Sequence, residues 1–391
     1  MGPLSRRTLA KGALGSLIAL ALGRAGAAEQ SKTGAALFDP MTLKGLQLSN
    51  RMVMAPLTRG RAGVQRTANA LMAEYYGQRA GAGLIIAEAT AISPQGYGWV
   101  GSPGIYTPAH VAGWKGVTDA VHGRGGRIFL QLWHLGRVTH PDFLEGQTPV
   151  GPSAIIPAGD VYTPTGKKSH VLPRAMTREE IASTVRDYAQ AAVRAREAGF
   201  DGVEIHAANG YLIDQFIRDG SNRRSDEYGG SIQNRLRFLL EVVEAVTQAW
   251  SGERTGIRVS PISSFNDMRD SMPGETFTQA ATALNRFGLA YLHVVEQLPQ
   301  DARSPPRARI APQLRAAFDG ALILNDGYDA ETGTAALETG EADLIAYGRS
   351  FLANPDLVER FRKGAALNKL DVRTLYTDGA KGYTDYPRLE S

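Results

Sequence analysis

The chain has 391 residues, with 43% hydrophobic residues, 44 glycines and 20 prolines, which suits one large globular domain or two smaller ones with an ample core. It has no cysteine, which excludes disulfides, cysteine-ligated zinc and cysteine-ligated iron–sulfur clusters. The net charge is +4, and the four basic residues among the first 27 account for the whole excess, so the high pI is no evidence for nucleic-acid binding.

The first 27 residues have the pattern of an export signal. Arg6 and Arg7 lie in a Ser-Arg-Arg-x-Leu-x-Lys frame before an apolar run at 12–23, and small residues at 25–28 suit a cleavage site. The apolar run is too short and glycine-rich for a comfortable membrane span. The segment resembles a twin-arginine signal, with an uncleaved anchor or an ordinary secretory signal as alternatives.

This resemblance implies a division of the chain into a signal, residues 1–27, and a mature domain, residues 28–391. It also implies the twin-arginine translocase as a partner during export. We therefore expect a periplasmic or exported protein, or a cytoplasmic one if the signal is not used.

From residue 37 onward, short apolar runs alternate with amphipathic segments. The apolar runs predict eight strands: 51–56, 84–89, 128–133, 203–206, 257–260, 291–295, 321–324 and 344–347. The amphipathic segments predict the helices: 68–80, 109–122, 177–198, 232–249, 276–287, 311–318, 330–337 and 355–363. Eight βα units in this order predict a single-domain (β/α)8 TIM barrel. A doubly wound sheet is the alternative, but it usually needs a Gly-x-Gly-x-x-Gly turn, which the chain lacks.

Three polar side chains follow the fourth predicted strand, at the end of the barrel where chemistry collects. The imidazole of His206 and the carboxamide of Asn209 can both donate hydrogen bonds to one substrate oxygen. The phenol of Tyr211 can supply a proton. On local sequence alone, a packed core histidine, an Asn-Gly turn and a half-buried tyrosine are the favoured interpretation, and only the rest of the chain changes this.

The residues that follow the last two predicted strands indicate a phosphate-binding site. Gly327 and Gly348 follow strands seven and eight, where barrels of this kind often bind phosphate, and Arg349 adds a positively charged fork. Three further polar side chains at strand ends could face a planar polar ring: Thr58, Gln131 and Arg258. Together they predict a phosphorylated, ring-bearing cofactor across the barrel mouth. The alternative to a cofactor site is that Arg258 and Arg349 form structural ion pairs. The chain shows no metal-binding motif.

Several separate motifs between residues 37 and 389 share one resemblance. They are NRMVMAPLTR at 50–59, GLIIAEAT at 83–90, QLWHLGR at 131–137, NRRSDEYGGS at 222–231, GIRVSP at 256–261, AYGR at 346–349 and GYTDYP at 382–387. With the stretch VEIHAANGY at 203–211, they are similar to the Old Yellow Enzyme family of FMN-dependent ene-reductases. One departure is the single glycine in Asn325-Asp326-Gly327, where many relatives have more.

The resemblance implies a non-covalent FMN and the residues that hold it. Thr58 is expected to bond the flavin carbonyl next to N5, and Gln131 to bond the pyrimidine edge. Arg258 is expected near N1, where its charge favours the anionic reduced flavin. The other implied flavin and phosphate contacts are Ala55, Pro56, Leu57, Ala89, Asn325, Gly327, Gly348 and Arg349.

The resemblance also implies a reaction. His206 and Asn209 would grip the oxygen of an enone or nitroalkene, so that the β-carbon accepts hydride from flavin N5. Tyr211 would protonate the α-carbon, and NADPH or NADH would reduce the flavin again. Trp133 and Tyr97 would shape the substrate pocket. Two alternatives stay open: a reductase of nitro groups or nitrate esters, and an exported flavin-binding redox protein with low turnover.

Overall fold

The computed structural model describes residues 35–296 and 308–390. Within them, eight parallel strands close into a barrel in which each strand pairs with the next and the eighth pairs with the first. The strands are β1 (Met52–Met54), β2 (Leu84–Ala91), β3 (Ile128–Trp133), β4 (Gly202–Ala207), β5 (Thr255–Val259), β6 (Tyr291–Val295), β7 (Ala321–Asn325) and β8 (Leu344–Tyr347). The predicted (β/α)8 fold is confirmed. The predicted signal at 1–27 lies outside the described residues.

A helix follows each strand on the outside of the barrel. These helices are α1 (Ala70–Gln78), α2 (Pro108–His122), α3 (Arg178–Glu197), α4 (Ile232–Ala249), α5 (Pro273–Leu284), α6 (Ala311–Ala317), α7 (Ala330–Glu338) and α8 (Leu357–Lys363). Side-chain caps fix several helix starts: Thr177 and Glu180 form a reciprocal capping box at α3, and Ser231 caps α4. Within the described part of the chain, no helix is long and apolar enough to cross a membrane.

The core has two layers because successive strand residues point to opposite faces. In β4, Val203, Ile205 and Ala207 join the large apolar cluster between the barrel and its helices. A second apolar cluster fills the amino-terminal end of the barrel, where a short antiparallel pair, Met41–Leu43 with Leu46–Leu48, packs against the strand starts. The carboxyl end of the barrel is left for polar groups.

The long segment between β3 and α3 has secondary structure that the sequence did not predict. Asp160–Thr163 and Gly166–Ser169 form an antiparallel hairpin. Asp142 ties the hairpin down, since its Oδ2 accepts a hydrogen bond from the Lys168 ammonium at 2.6 Å. The second strand of the hairpin, Gly-Lys-Lys-Ser, has no apolar alternation, so its sequence resembles a loop.

The last part of the chain folds back over the barrel mouth, and we call residues 371–383 the C-terminal strap. Arg61, which follows β1 and is buried, holds the strap. Its guanidinium donates to the carbonyl oxygens of Thr374 and Leu375 at 3.0 and 2.8 Å and to the hydroxyl of Thr377 at 3.3 Å. These partners lie on both sides of Tyr376. Arg59 also donates to the Leu375 carbonyl, at 3.0 Å, so two arginines fix the backbone that carries this ring.

Candidate active site

The end of β4 carries His206, and the sharp turn after β4 places Asn209 and Tyr211 beside it at the barrel mouth. Asn209 and Gly210 both have positive φ, 57° and 75°, which an Asn-Gly pair tolerates better than most residues. The turn is held from both sides: the Asn209 backbone N–H donates to the Ser260 hydroxyl at 2.7 Å, and the Gly210 N–H donates to Asp214 at 2.8 Å. Tyr211 follows directly, at the start of the short helix Leu212–Ile217.

Aromatic rings enclose the Tyr211 side chain. The centroids of Tyr211 and His206 are 4.9 Å apart with planes at 71°, and Trp133 meets Tyr211 edge-on at 5.0 Å. Trp99 packs against this group and lies 5.3 Å from the ring of Tyr376. An aromatic wall therefore runs from β3 to the C-terminal strap. Predicted Ala89 also belongs to this apolar group.

Tyr97 lies apart from the aromatic wall, although the sequence analysis placed it in the pocket. Its ring lies under the Arg66 guanidinium, 3.5 Å from the centroid, and meets Phe143 edge-on at 5.5 Å. The turn around Gly98 is very tight, since a Cβ there would meet the Thr139 hydroxyl at 2.3 Å. This turn sends Tyr97 and Trp99 into different surroundings. Trp99, for which the sequence carried no functional signal, packs against the Tyr211 group instead.

Burial determines the protonation states of His206 and Tyr211. It lowers the pKa of His206 well below its ordinary value, and nearby Arg258 lowers it further. Burial also raises the pKa of the Tyr211 phenol above its ordinary value. At neutral pH the site therefore holds a neutral imidazole beside a protonated phenol. The His206 Nδ1 is buried and has no hydrogen-bond partner within the described residues.

Beside this cluster lies a cavity of about 540 Å³, a volume typical of ligand sites. It brings together most of the predicted cofactor residues: Ala55, Pro56, Leu57, Arg258, Asn325, Gly327, Gly348 and Arg349. Thr58 follows Leu57 directly and is half-buried. Gln131 is buried in β3 and donates from its amide to the Glu204 carboxylate at 2.7 Å.

Arg258 provides a buried positive charge on the wall of this cavity. Its Nη2 donates to Asn325 Oδ1 at 2.7 Å, while the Asn325 amide donates to the Ala346 carbonyl at 2.7 Å, which fixes the amide orientation. The Nε of Arg258 is buried without a hydrogen-bond partner among the described residues. After β7, Asp326 and Gly327 have positive φ of 92° and 88°, so the chain turns sharply along the cavity. The cavity thus suits a ligand with acceptor atoms and negative charge.

A (β/α)8 barrel with a cationic cavity beside a His-Asn-Tyr cluster defines a class of cofactor-dependent barrel enzymes. Residues 36–368 match the NADH:flavin oxidoreductase / NADH oxidase family. A probable flavin mononucleotide-dependent alkene reductase of Leishmania infantum is 46% identical over 364 residues, which cover 91% of this chain and 98% of the relative.

Two solved structures have the same fold. The old yellow enzyme homologue from Zymomonas mobilis has a TM-score of 0.89 and 46% identity, and the match covers 90% of this chain and 100% of that one. Morphinone reductase in complex with tetrahydroNAD has a TM-score of 0.86 and 49% identity, with coverage of 91% and 98%. The chain belongs to the NADH:flavin oxidoreductase / NADH oxidase family, the Old Yellow Enzyme family, and is an oxidoreductase with FMN as its cofactor.

The residues of the cavity fit FMN. The flavin ring offers acceptor atoms on its pyrimidine edge, which the unpartnered Nε of Arg258 can satisfy. The phosphate needs positive charge, which Arg349 can supply. It also needs a close approach of the backbone, which Gly348 allows, because the space beside its Cα is open and a Cβ there would meet nothing closer than 3.7 Å. Both halves of the cofactor thus find complementary groups in one cavity.

Proposed function

We propose that the enzyme reduces the activated C=C bond of α,β-unsaturated carbonyls or nitroalkenes, with NADPH or NADH as the source of electrons. One observation carries this proposal: a neutral imidazole and a protonated phenol lie together at the end of β4, beside the cofactor cavity. FMN, when bound, supplies hydride from N5 to the substrate β-carbon. Flavin binding alone does not require this pair of groups.

His206 and Asn209 are the residues that bind the substrate oxygen. A neutral imidazole donates one hydrogen bond, and the Asn209 carboxamide donates a second. Both draw electron density towards the oxygen and leave the β-carbon electron-poor. Their effect is largest where charge develops on that oxygen during the reaction, because the site is buried and excludes much of the water.

Tyr211 is the proton donor. Its raised pKa keeps the phenol protonated across the physiological range, so the proton is present when the α-carbon acquires electron density. Trp133 and His206 contact its ring from two sides and hold it at the mouth. The substrate thus gains a hydride at the β-carbon and a proton at the α-carbon, and its double bond is reduced.

The cofactor roles implied by the resemblance form part of the proposal. Thr58 and Gln131 bond the flavin edges, Arg258 supplies positive charge near N1, and Arg349 holds the phosphate. Ala55, Pro56, Leu57, Ala89, Asn325, Gly327 and Gly348 complete the contacts. The alkene-reductase name of the Leishmania relative and the tetrahydroNAD in the morphinone reductase structure support both the acceptor class and the nicotinamide donor.

We further propose that residues 1–27 direct the folded mature domain, 28–391, through the twin-arginine translocase to the periplasm or beyond. Export after folding suits an enzyme that acquires its cofactor beforehand in the cytoplasm. Replacing Arg6 and Arg7 together by lysine should stop export in a bacterial host, as measured by fractionation and immunoblotting. Unchanged export of that variant would contradict the twin-arginine route.

An anaerobic visible spectrum of the mature chain tests the function. The oxidised flavin band should bleach on addition of NADPH and return on addition of cyclohexenone, which would establish both halves of the cycle. A band that dithionite bleaches but NADPH and NADH do not would favour the low-turnover redox protein or another electron donor. No flavin band after reconstitution with FMN would overturn the cofactor assignment.

A further inference from the structure

Glu204 is a carboxylate buried in the interior of the barrel. It lies on β4 two residues before His206, on the face that points inward, and its side chain is 0% exposed. Its Oε1 accepts from the Gln131 amide at 2.7 Å, and its Oε2 lies 2.8 Å from Nδ1 of His293 on β6. No motif in the sequence assigns a role to Glu204, although a charged residue inside a buried strand is unusual.

The carboxylate has polar partners but no close cation among the described residues. Its one ion-pair contact within 4.0 Å is His293, whose pKa is lowered mainly by burial. A buried carboxylate without a close cation is costly to desolvate, and hydrogen bonds from neutral partners offset only part of that cost. A group kept at such a cost is a candidate for a functional role, which directs attention to the cofactor cavity above it.

Glu204 and Arg258 lie on the neighbouring strands β4 and β5, where Arg258 pairs in register with His206, two residues beyond Glu204. Burial lowers the pKa of Arg258, and Glu204 is the largest of the neighbours that counteract this fall. His206 and His293 both have lowered pKa values and carry no charge at neutral pH. The other acidic group that acts on Arg258 is Asp326, in the turn after β7. Glu204 is thus the anion inside the barrel that offsets the guanidinium charge.

Glu204 also fixes the orientation of Gln131. The Glu204 Oε1 accepts from Gln131, so the Gln131 group that faces it is the NH2, at 2.7 Å. The carbonyl oxygen of Gln131 is then directed away from Glu204 and is free to accept a hydrogen bond. The flavin pyrimidine ring carries one N–H donor, N3–H, which needs such an acceptor.

We propose that Glu204 is a positioning residue for FMN with two effects. It holds the Gln131 amide so that its oxygen accepts from flavin N3–H, and its charge offsets Arg258. Without that charge, the cavity would favour the anionic reduced flavin more strongly, and the reduced cofactor would be a weaker hydride donor. The inference rests on the proposed contacts of Gln131 and Arg258 with FMN.

Two substitutions distinguish the effect of the Glu204 charge on Arg258 from its effect on the orientation of the Gln131 amide. Glu204→Gln keeps the shape, and its amide oxygen can still accept from Gln131 while its NH2 donates to the other tautomer of His293. It should raise the ratio of reduced to oxidised FMN affinity about tenfold, which corresponds to a rise of about 30 mV in the two-electron midpoint potential. Oxidised FMN should bind nearly as before. Glu204→Leu removes the acceptor as well and should weaken binding of oxidised FMN about tenfold.

The matched control is Glu241→Gln, which removes a half-buried carboxylate on α4, outside the barrel. Midpoint potentials come from anaerobic dye titration, and FMN dissociation constants come from flavin fluorescence. A Glu204→Gln potential equal to that of the control would overturn the charge effect, and unchanged FMN affinity in Glu204→Leu would overturn the orienting effect. If the leucine variant does not fold, loss of oxidised-FMN affinity in Glu204→Gln would overturn the proposal, since that variant keeps the acceptor. Failure of wild type to bind FMN would instead refute the proposed function.

Discussion

The imidazole of His206 meets the ring of Tyr211 edge to face, with centroids 4.9 Å apart and planes inclined by 71°. Burial acts on both groups but in opposite directions on the pKa scale, because it disfavours the imidazolium and the phenolate alike. The outcome is a pair of uncharged groups, each with a proton to donate. In the proposed reaction, a hydrogen-bond donor and a general acid can therefore act side by side without electrostatic conflict.

Replacing Tyr211 by phenylalanine removes the proposed acid but keeps the ring that packs on Trp133 and His206. Alkene reduction should slow about 10²- to 10⁴-fold, while flavin reduction by NADPH stays nearly unchanged. Anaerobic stopped-flow absorbance measures the two half-reactions separately. Tyr188→Phe is the control, since Tyr188 is fully buried on α3.

The same Tyr211 variant discriminates between the candidate acceptors. Reduction of a nitro group or nitrate ester needs hydride but less help from the phenol, so these substrates should lose little rate. Equal loss of both half-reactions would contradict the assigned role of Tyr211. A variant that keeps its full rate on cyclohexenone would contradict it as well.

The pH dependence of enone reduction follows from the two pKa shifts. The pKa of His206 is lowered, so the ring gains charge only below the ordinary histidine range, and the pKa of Tyr211 is raised, so the phenol loses its proton only above the ordinary tyrosine range. The rate at which an enone oxidises pre-reduced enzyme should be flat from about pH 6 to about pH 9. Single-turnover stopped flow at constant ionic strength measures it, and an inflection near pH 6.5 would contradict a neutral His206.

Glu88 should make stability depend on pH. Burial raises the pKa of this carboxyl from 4.5 to about 7, against hydrogen bonds from the Arg59 N–H and the Tyr76 hydroxyl. Between these values the folded chain keeps a proton that the unfolded chain has released, so stability falls as pH rises. The free energy of unfolding of wild type relative to Glu88→Gln should fall by about 2 kcal/mol between pH 5 and pH 8.5. Urea titrations at both pH values test this, and a constant difference would contradict a raised pKa.

Arg61→Lys should loosen the C-terminal strap. A lysine keeps the charge but loses the planar fork that bonds Thr374, Leu375 and Thr377 together, at a cost of about 1–3 kcal/mol. The melting temperature should fall, and limited proteolysis should cut the strap faster. Arg373→Lys is the control on the same segment, because Arg373 is exposed and its pair with Asp371 contributes little. Equal protease resistance of the two variants would show that Arg61 does not hold the strap.

The barrel was predictable because β-branched and apolar runs alternate with amphipathic segments eight times, and parallel topology then places every strand end at one mouth. That rule alone brought Arg258, Asn325 and Gly348 together. It could not choose between Tyr97 and Trp99, because side-chain direction in a turn depends on contacts with distant residues such as Thr139.

Two further features had no local signal. The hairpin between β3 and α3 depends on Asp142, which lies 26 residues before its partner Lys168. The C-terminal strap depends on Arg61 and Arg59, about 310 residues away from it along the chain. Contacts at such sequence separations leave no periodic pattern, so they become visible only in the folded chain.

Because the strap lies at the end of the chain, it is among the last parts of the enzyme that can fold during synthesis. Proposed cofactor contacts lie between residues 55 and 349, whereas Tyr376, the outer end of the aromatic wall, belongs to the last part of the chain. Since a ribosome releases the carboxyl terminus last, the cofactor cavity can form before the substrate pocket is complete. A chain cut short by a premature stop after α8 would keep the proposed flavin contacts and lose the outer end of the aromatic wall.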